Sequence, residues 1–184
     1  MRTETDVLAL IATDAWMMAA LDTARHMNLP DCWLGAGFVR SKIWDHLHDF
    51  AQATPLDDVD LLFFQADDTS EEREGAIETD LRRAMPDVPW SAKNQARMHL
   101  RNGDQPYCDT QDAMRYWLET PTCVAVRLRA DGELALIAPH GIADLVGMIV
   151  RPTPAGRRRK DAYRERLESK NWLQQWPRTQ AVWP

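Results

Sequence analysis

The chain has 184 residues, 45% of them hydrophobic and 27% charged, with a formal net charge of −6. These values fit one ordinary globular domain and give no global field to attract nucleic acid, so any anion must be bound in a local pocket. No apolar run approaches the roughly 18 residues that span a bilayer, and the opening MRTETDVLAL lacks the basic-then-apolar order of a signal peptide. A cytoplasmic protein without membrane contact is the expectation. Three scattered cysteines, Cys32, Cys108 and Cys123, form no CxxC pair, which argues against a zinc site or a disulfide framework.

In chain order, Val7, Leu10, Ile11, Met17, Met18, Leu21 and Ala24 recur at helical spacing and predict one long helix ending near Asn28-Leu29-Pro30. CWLGAG reads as a short buried strand closed by glycine. Residues 38–49 read as a helix with Val39, Ile43, Trp44 and Leu47 on one side. DVDLLFF, residues 58–64, is the next strand. SEEREGAIETDLRRAM opens on a serine cap with acids in its first turn, as helices do. VPWSAK predicts a third strand and TQDAMRYWL a short helix with Thr110 as its cap. CVAVRLRADGELALIAP predicts a hairpin around Asp131-Gly132. GMIVRPTP predicts a final strand stopped by prolines, and KDAYRERLESKNWLQQW one closing helix. This alternation places the chain in the α/β (α+β) class, as a single domain over residues 1–184 extended by its first and last helices.

Two features in this order carry chemistry. Strand-forming sequences usually avoid Asp, yet Asp58 and Asp60 head an otherwise apolar strand. Residues i and i+2 of a strand point the same way, so the two carboxylates project together. They repel one another, and burial would raise a pKa. A divalent cation removes both difficulties, and Mg²⁺ favours one or two carboxylates plus phosphate oxygens. The plain alternative is that both acids mark the solvated entrance of the strand. Just upstream, Gly35, Ala36 and Gly37 lack bulk, so a phosphate can approach the backbone. The helix start that follows offers free N–H groups, and Arg40 lies in its first turn. The same glycines would also suit a tight strand-to-helix turn.

GAGFVR followed by DVDLLFF resembles the G-G-x-V-R then D-h-D-h pattern of the polymerase-beta-like nucleotidyltransferase superfamily, in the form seen in tRNA CCA-adding and poly(A) polymerase enzymes. WSAKNQARMH, DAMRYW, APHGIADL and MIVRPTP extend the resemblance over roughly residues 7–176, to a bacterial nucleotidyltransferase-like family. The resemblance implies a mixed β-sheet flanked by helices. It implies transfer of a nucleoside monophosphate from an NTP to an acceptor, whether RNA, protein or small molecule, with Mg²⁺ or Mn²⁺. Ala36 and Gly37 match the glycine pair, Arg40 the arginine, and Asp58 and Asp60 the metal-binding and catalytic acids. Three departures stand out: alanine stands at the first position of the glycine pair, a mild change; Ser41 replaces the acid that often follows the arginine; and no third carboxylate is evident. The strand over 88–94 offers Ser91, Lys93 and Asn94 instead, which makes Asn94 the candidate neutral donor to a metal.

Other polar residues are weaker candidates. Lys93 and Arg97, four apart, would share a helix face and reach a triphosphate, or would simply be surface charge. His46 and His48 diverge on a helix. His99 and His140 lie near loop signals where substrate contact is conceivable. GRRRK, residues 156–160, suits a solvated loop or a polyanionic acceptor. Trp172 and Trp176 fall at helical spacing and are expected to seal the core. With two acids rather than three, a catalytically weak nucleotide-binding sensor or adaptor is the alternative to an enzyme.

Overall fold

The computed structural model describes residues 1–183. The predicted first helix is two helices, α1 (Glu4–Ala12) and α2 (Ala15–His26), which meet at 96°. Asp14 is the cause: its Oδ1 accepts the N–H groups of Trp16 and Met17 at 3.1 and 3.0 Å and starts a second helix. The break lets Val7 and Ile11 of α1, and Met17, Leu21 and Ala24 of α2, enter one core from different directions. No single helix among the described residues is long and apolar enough to cross a membrane.

Then follow β1 (Trp33–Gly35), α3 (Gly37–Leu47), β2 (Val59–Phe63), α4 (Glu71–Ala84), β3 (Trp90–Asn94), α5 (Gln95–Asn102), α6 (Thr110–Met114), a 3₁₀ turn (Thr120–Thr122), β4 (Ala125–Leu128) and β5 (Leu134–Ile137). The five strands form one mixed sheet in the order β3-β2-β1-β4-β5. Only β2 and β3 run parallel; the other neighbours are antiparallel. Val59, Leu61 and Phe63 point into the main core under the helices. Burying side chains of this size is worth about 1.5–3 kcal/mol each. Leu62 turns to the opposite face, with Trp33, Met114 and Ala125. Asp60, two residues before Leu62, shares that face. The edge strand β3 is covered by α4: Glu78 Oε1 accepts the Ala92 N–H at 3.0 Å, and Glu74 Oε1 the Asn94 N–H at 2.8 Å.

The β4–β5 hairpin turns at Asp131-Gly132, where Gly132 has φ +85°. Asp109, not Thr110, caps α6; the Thr110 hydroxyl instead donates to the Asp31 carbonyl at 2.9 Å. The C-terminal part departs most from the sequence expectation. After α7 (Ala143–Val146), the predicted last strand contributes only β6 (Ile149–Val150), which stands outside the main sheet and pairs in parallel with β7 (Gln180–Ala181). The closing helix is broken. Beyond α8 (Pro154–Arg158) come α9 (Lys160–Ser169) and α10 (Trp172–Gln175), separated at Asn171, whose φ is +52°. That left-handed residue turns α10 so that Trp172 and Trp176 pack edge-on against Trp44 of α3, at 6.2 and 5.2 Å between ring centroids.

Candidate active site

The turn between β1 and α3 is built for close approach. A Cβ on Gly35 would meet Ala125 Cβ and Leu62 Cδ1, each at 3.0 Å, so glycine lets β1 sit tightly between its neighbours. Ala36 takes φ +52° and ψ −119°, a backbone that glycine prefers, and its N–H donates to the Val124 carbonyl at 3.0 Å. No side chain caps α3, which leaves its first-turn N–H groups for an external acceptor. A Cβ at Gly37 would lie 3.6 Å from Arg40 Nη2, an ordinary contact distance, so the start of α3 sits directly beside the guanidinium.

Gly35 is the register partner of Asp60 across β1 and β2, which sets this turn beside the acid pair. Asp60 lies within β2 and is half-buried; Asp58 precedes the strand and is exposed. Both line a cleft of about 840 Å³ together with Ala36, Gly37 and Arg40. Burial, then the charge of Asp58, pushes the Asp60 carboxyl up to about 6. Arg166, Lys170 and Lys93 offset this through their charge alone, not by hydrogen bonds.

Arg40 is only 8% exposed. Its Cζ lies 5.4, 4.7 and 5.3 Å from the ring centroids of Trp44, Trp172 and Trp176, a cage contributed by α3 and the C-terminal segment. Nη2 donates to the Ser41 hydroxyl at 3.1 Å, while the buried Nε has no partner. Burial, then the charge of Arg166, lowers the guanidinium to about 10, so it remains a cation at neutral pH. Thus Trp172 and Trp176 seal the core and also form the wall that holds Arg40.

The polar residues of this C-terminal wall were not anticipated from sequence. Arg166, Lys170, Asn171 and Gln174 line the same cleft. Arg166, Lys170 and Gln174 repeat at i, i+4 and i+8, a polar stripe that was the available signal. Lys170 Nζ lies 3.6 Å from Asp57 Oδ2.

Three residues expected at the site, Lys93, Asn94 and Arg97, do not line the cleft. Asn94 is fully buried, three register positions along the parallel pair from Ser91, the partner of Asp60; that is about 10 Å of strand. Its Oδ1 accepts from Gln65 N–H at 3.0 Å and Ala96 N–H at 3.1 Å. Its Nδ2 donates to the carbonyls of Gln65 and Asp68 at 2.7 and 2.9 Å. It caps α5 and has no capacity left for a metal. Arg97 forms a two-pronged pair with Glu74, both bonds 2.8 Å. Lys93 lies 3.6 and 3.5 Å from Glu74 and Glu78. KNQARMH therefore ties β3 and α5 to α4. His48 is a structural link as well, through the Trp44 carbonyl at 2.7 Å and the Arg178 N–H at 3.0 Å. His99 contacts the Ala96 carbonyl at 2.9 Å and His140 the Arg115 carbonyl at 3.1 Å. In the basic cluster, Arg159 donates to the Tyr116 carbonyl.

Among the described residues no three His, Cys, Asp or Glu side chains converge on one point. The cleft still suits a hard divalent ion that keeps water and substrate ligands. It offers two oxygen donors, one of them desolvated and strained by its neighbour's charge.

A nucleotidyltransferase sequence profile matches residues 22–181. The chain belongs to the nucleotidyltransferase family. It is similar to a structure described as revealing a CCA-adding enzyme head domain, at 32% identity and a TM-score of 0.88, over 100% of this chain and 98% of that one. It also resembles a CCA-adding enzyme in complex with CTP, at 13% identity and a TM-score of 0.61, and the Thermotoga maritima CCA-adding enzyme complexed with tRNA, at 15% and 0.58. The family member spans only 43% and 42% of those two chains, a likeness of fold. No curated protein matches it.

Proposed function

We propose that the cleft transfers a nucleoside monophosphate from an NTP to an acceptor hydroxyl in a metal-dependent reaction. The observation that carries this reading is the convergence of Asp58 and Asp60 with the Gly37 turn and the caged Arg40 in one cleft. Asp58 and Asp60 would hold Mg²⁺ or Mn²⁺, which when bound neutralises charge at the α-phosphate and favours an acceptor oxygen as nucleophile. Gly37 leaves room for a phosphate at the start of α3, whose N–H groups and partial positive charge favour an anion. Arg40 adds a fixed cation for the departing pyrophosphate. The tryptophans hold that cation in place, so little is lost in ordering it when substrate arrives.

The acceptor belongs to the class of RNA, protein or small molecule. Larger proteins of the same fold are described in complex with CTP and with tRNA, which supports testing RNA first among these. A second reading, a nucleotide-binding adaptor with little catalysis, is favoured by one observation: Ser91, not an acid, is the strand partner of Asp60. Incubation with α-labelled NTPs, Mg²⁺ or Mn²⁺, and separated RNA, protein and small-molecule fractions decides between them. Label transferred to a fraction, and lost in Asp60→Asn, supports the enzyme. Saturable nucleotide binding without transfer supports the adaptor.

A further inference from the structure

We propose that Arg166, held by the buried Glu119, forms with Arg40 a two-guanidinium clamp for the β- and γ-phosphates, so that the cleft selects nucleotides by phosphate count. The inference rests on the nucleotide reading of the cleft and names the residues that would recognise the triphosphate.

Both guanidinium groups approach one indole: Cζ of Arg40 lies 4.7 Å, and Cζ of Arg166 5.7 Å, from the Trp172 ring centroid. Both line the cleft that holds Asp58 and Asp60. Like charges gathered in a partly desolvated cleft cost free energy unless something negative sits between them. Glu119 is 1% exposed and is paired by charge rather than by a hydrogen bond: its Oε1 lies 2.8 Å from Arg166 Nε without hydrogen-bond geometry, while its Oε2 accepts the Thr122 hydroxyl at 3.1 Å. Among the described residues Arg40 has no ion pair, and its buried Nε has no partner. An anion between the two guanidinium groups resolves this arrangement, and a polyphosphate offers oxygens to both at once.

Geometry further favours a phosphate. The nearest approach of Glu119 to Arg166 is at Nε, and among the described residues no Nη of Arg166 donates a hydrogen bond within the protein, which leaves those donors for phosphate oxygens. Glu119 is itself fixed, because it forms a bridge with Pro152 and the adjoining Thr120 N–H donates to the Arg151 carbonyl at 2.9 Å. Glu119 is therefore a positioning residue, acting on substrate only through Arg166. Lys170 lies one helical turn beyond Arg166, beside the exposed Asp57, and adds a third cation at the cleft mouth. A cation held by Asp58 and Asp60 would cancel their attraction for the two arginines, so metal and triphosphate should bind together.

The test is calorimetric titration of the full chain with CTP and CMP, and with ATP and AMP, in Mg²⁺. Wild type is expected to prefer the triphosphate. The double variant Arg166→Gln with Glu119→Gln removes both charges of the pair, so neither is left buried alone. It should lower the ratio of triphosphate to monophosphate affinity on the order of tenfold to a hundredfold, the size of a lost charge-assisted contact. Glu119→Gln alone keeps the Arg166 charge but loosens its aim, and should lower the ratio by a smaller factor. If the double variant does not fold, Arg166→Lys serves: it keeps the charge but loses the fork, and should also reduce the ratio. An unchanged ratio in the folded variants overturns the clamp and leaves the nucleotide reading intact. Failure of wild type to bind any of the four nucleotides overturns both.

Discussion

The indole Nε1–H of Trp176 donates to Asp45 Oδ1 at 2.7 Å, across 131 residues of chain. Asp45 also accepts the Thr54 N–H and hydroxyl, each at 2.7 Å. One buried carboxylate thus joins three parts of the cleft: α3, the 48–58 segment leading to the acid pair, and the end of α10. Trp176→Phe keeps an aromatic ring against Trp44 and Arg40 but removes the donor. Stability should fall by roughly 1–3 kcal/mol, the cost of a lost hydrogen bond to a buried charge. Nucleotide affinity should fall with it, because the wall holding Arg40 loosens. Urea denaturation measures the first effect; an unchanged midpoint would show that Asp45 does not tie the wall down.

Ala36→Gly should stabilise the protein. At φ +52° and ψ −119° an alanine is held in a region where its Cβ is strained. Relief of that strain, less the extra freedom glycine gains in the unfolded chain, leaves a gain of about 1 kcal/mol. A fall in melting temperature would mean that the Cβ packing of Ala36 outweighs the backbone strain. The sequence shows a mild departure from a glycine pair; the structure shows a glycine-type backbone retained under an alanine.

Periodicity and caps made the sheet strands, the β4–β5 hairpin and α4 legible, because each is encoded in a few adjacent residues. The Asp58/Asp60 pair and the turn before α3 were legible for the same reason. What was not legible depended on single residues overriding a longer pattern. Asp14 splits an apolar stripe that continues on both sides of it, and Asn171 in left-handed conformation splits the last helix. The C-terminal wall was hidden because Arg166 and Lys170 meet the acid pair only through a tertiary contact across more than a hundred residues of chain. KNQARMH is distinctive in sequence but does structural work: its charges meet the two glutamates that cover the β3 edge. A motif's specificity marks the family without saying which of its residues touch substrate.

Asn94→Asp should leave metal affinity unchanged and destabilise the fold. The substitution would exchange an amide that donates to two carbonyls, at 2.7 and 2.9 Å, for a carboxylate facing both of them. Two lost donors and a buried charge make a cost of about 3 kcal/mol or more. Mn²⁺ titration beside thermal unfolding checks both parts. Tighter metal binding by the variant would return position 94 to the site.

Asp60 should give the protein an unusual pH profile. Its carboxyl is raised from 3.8 to about 6, first by burial and then by Asp58. Between these values the folded state binds more protons than the unfolded state, so stability falls as pH rises through about 4 to 6. Asp60→Asn lacks this loss and should exceed wild type above pH 7 by on the order of 2 kcal/mol. Protons and cations compete for the same oxygens, so Mn²⁺ affinity of wild type should drop as pH falls below about 6. Parallel stability curves for the two proteins over this range would show that Asp60 ionises freely.

Arg40→Met separates the charge of Arg40 from its packing. Truncation to alanine would empty the space between three tryptophans and confuse loss of binding with loss of fold. Methionine keeps most of the side-chain length and suits contact with aromatic rings. It also removes a cation that is 8% exposed, has an unpartnered Nε, and feels the repulsion of Arg166. Replacing such a buried charge by an apolar side chain of similar volume is often neutral or stabilising. Stability of Arg40→Met should therefore match or exceed that of wild type, while NTP affinity falls on the order of tenfold or more as a charge-assisted phosphate contact is lost. The two measurements must move in opposite directions, or one must stay still while affinity falls. If stability drops and affinity holds, Arg40 is a structural member of the tryptophan cage, and the phosphate must be held by the start of α3 and the C-terminal wall without it.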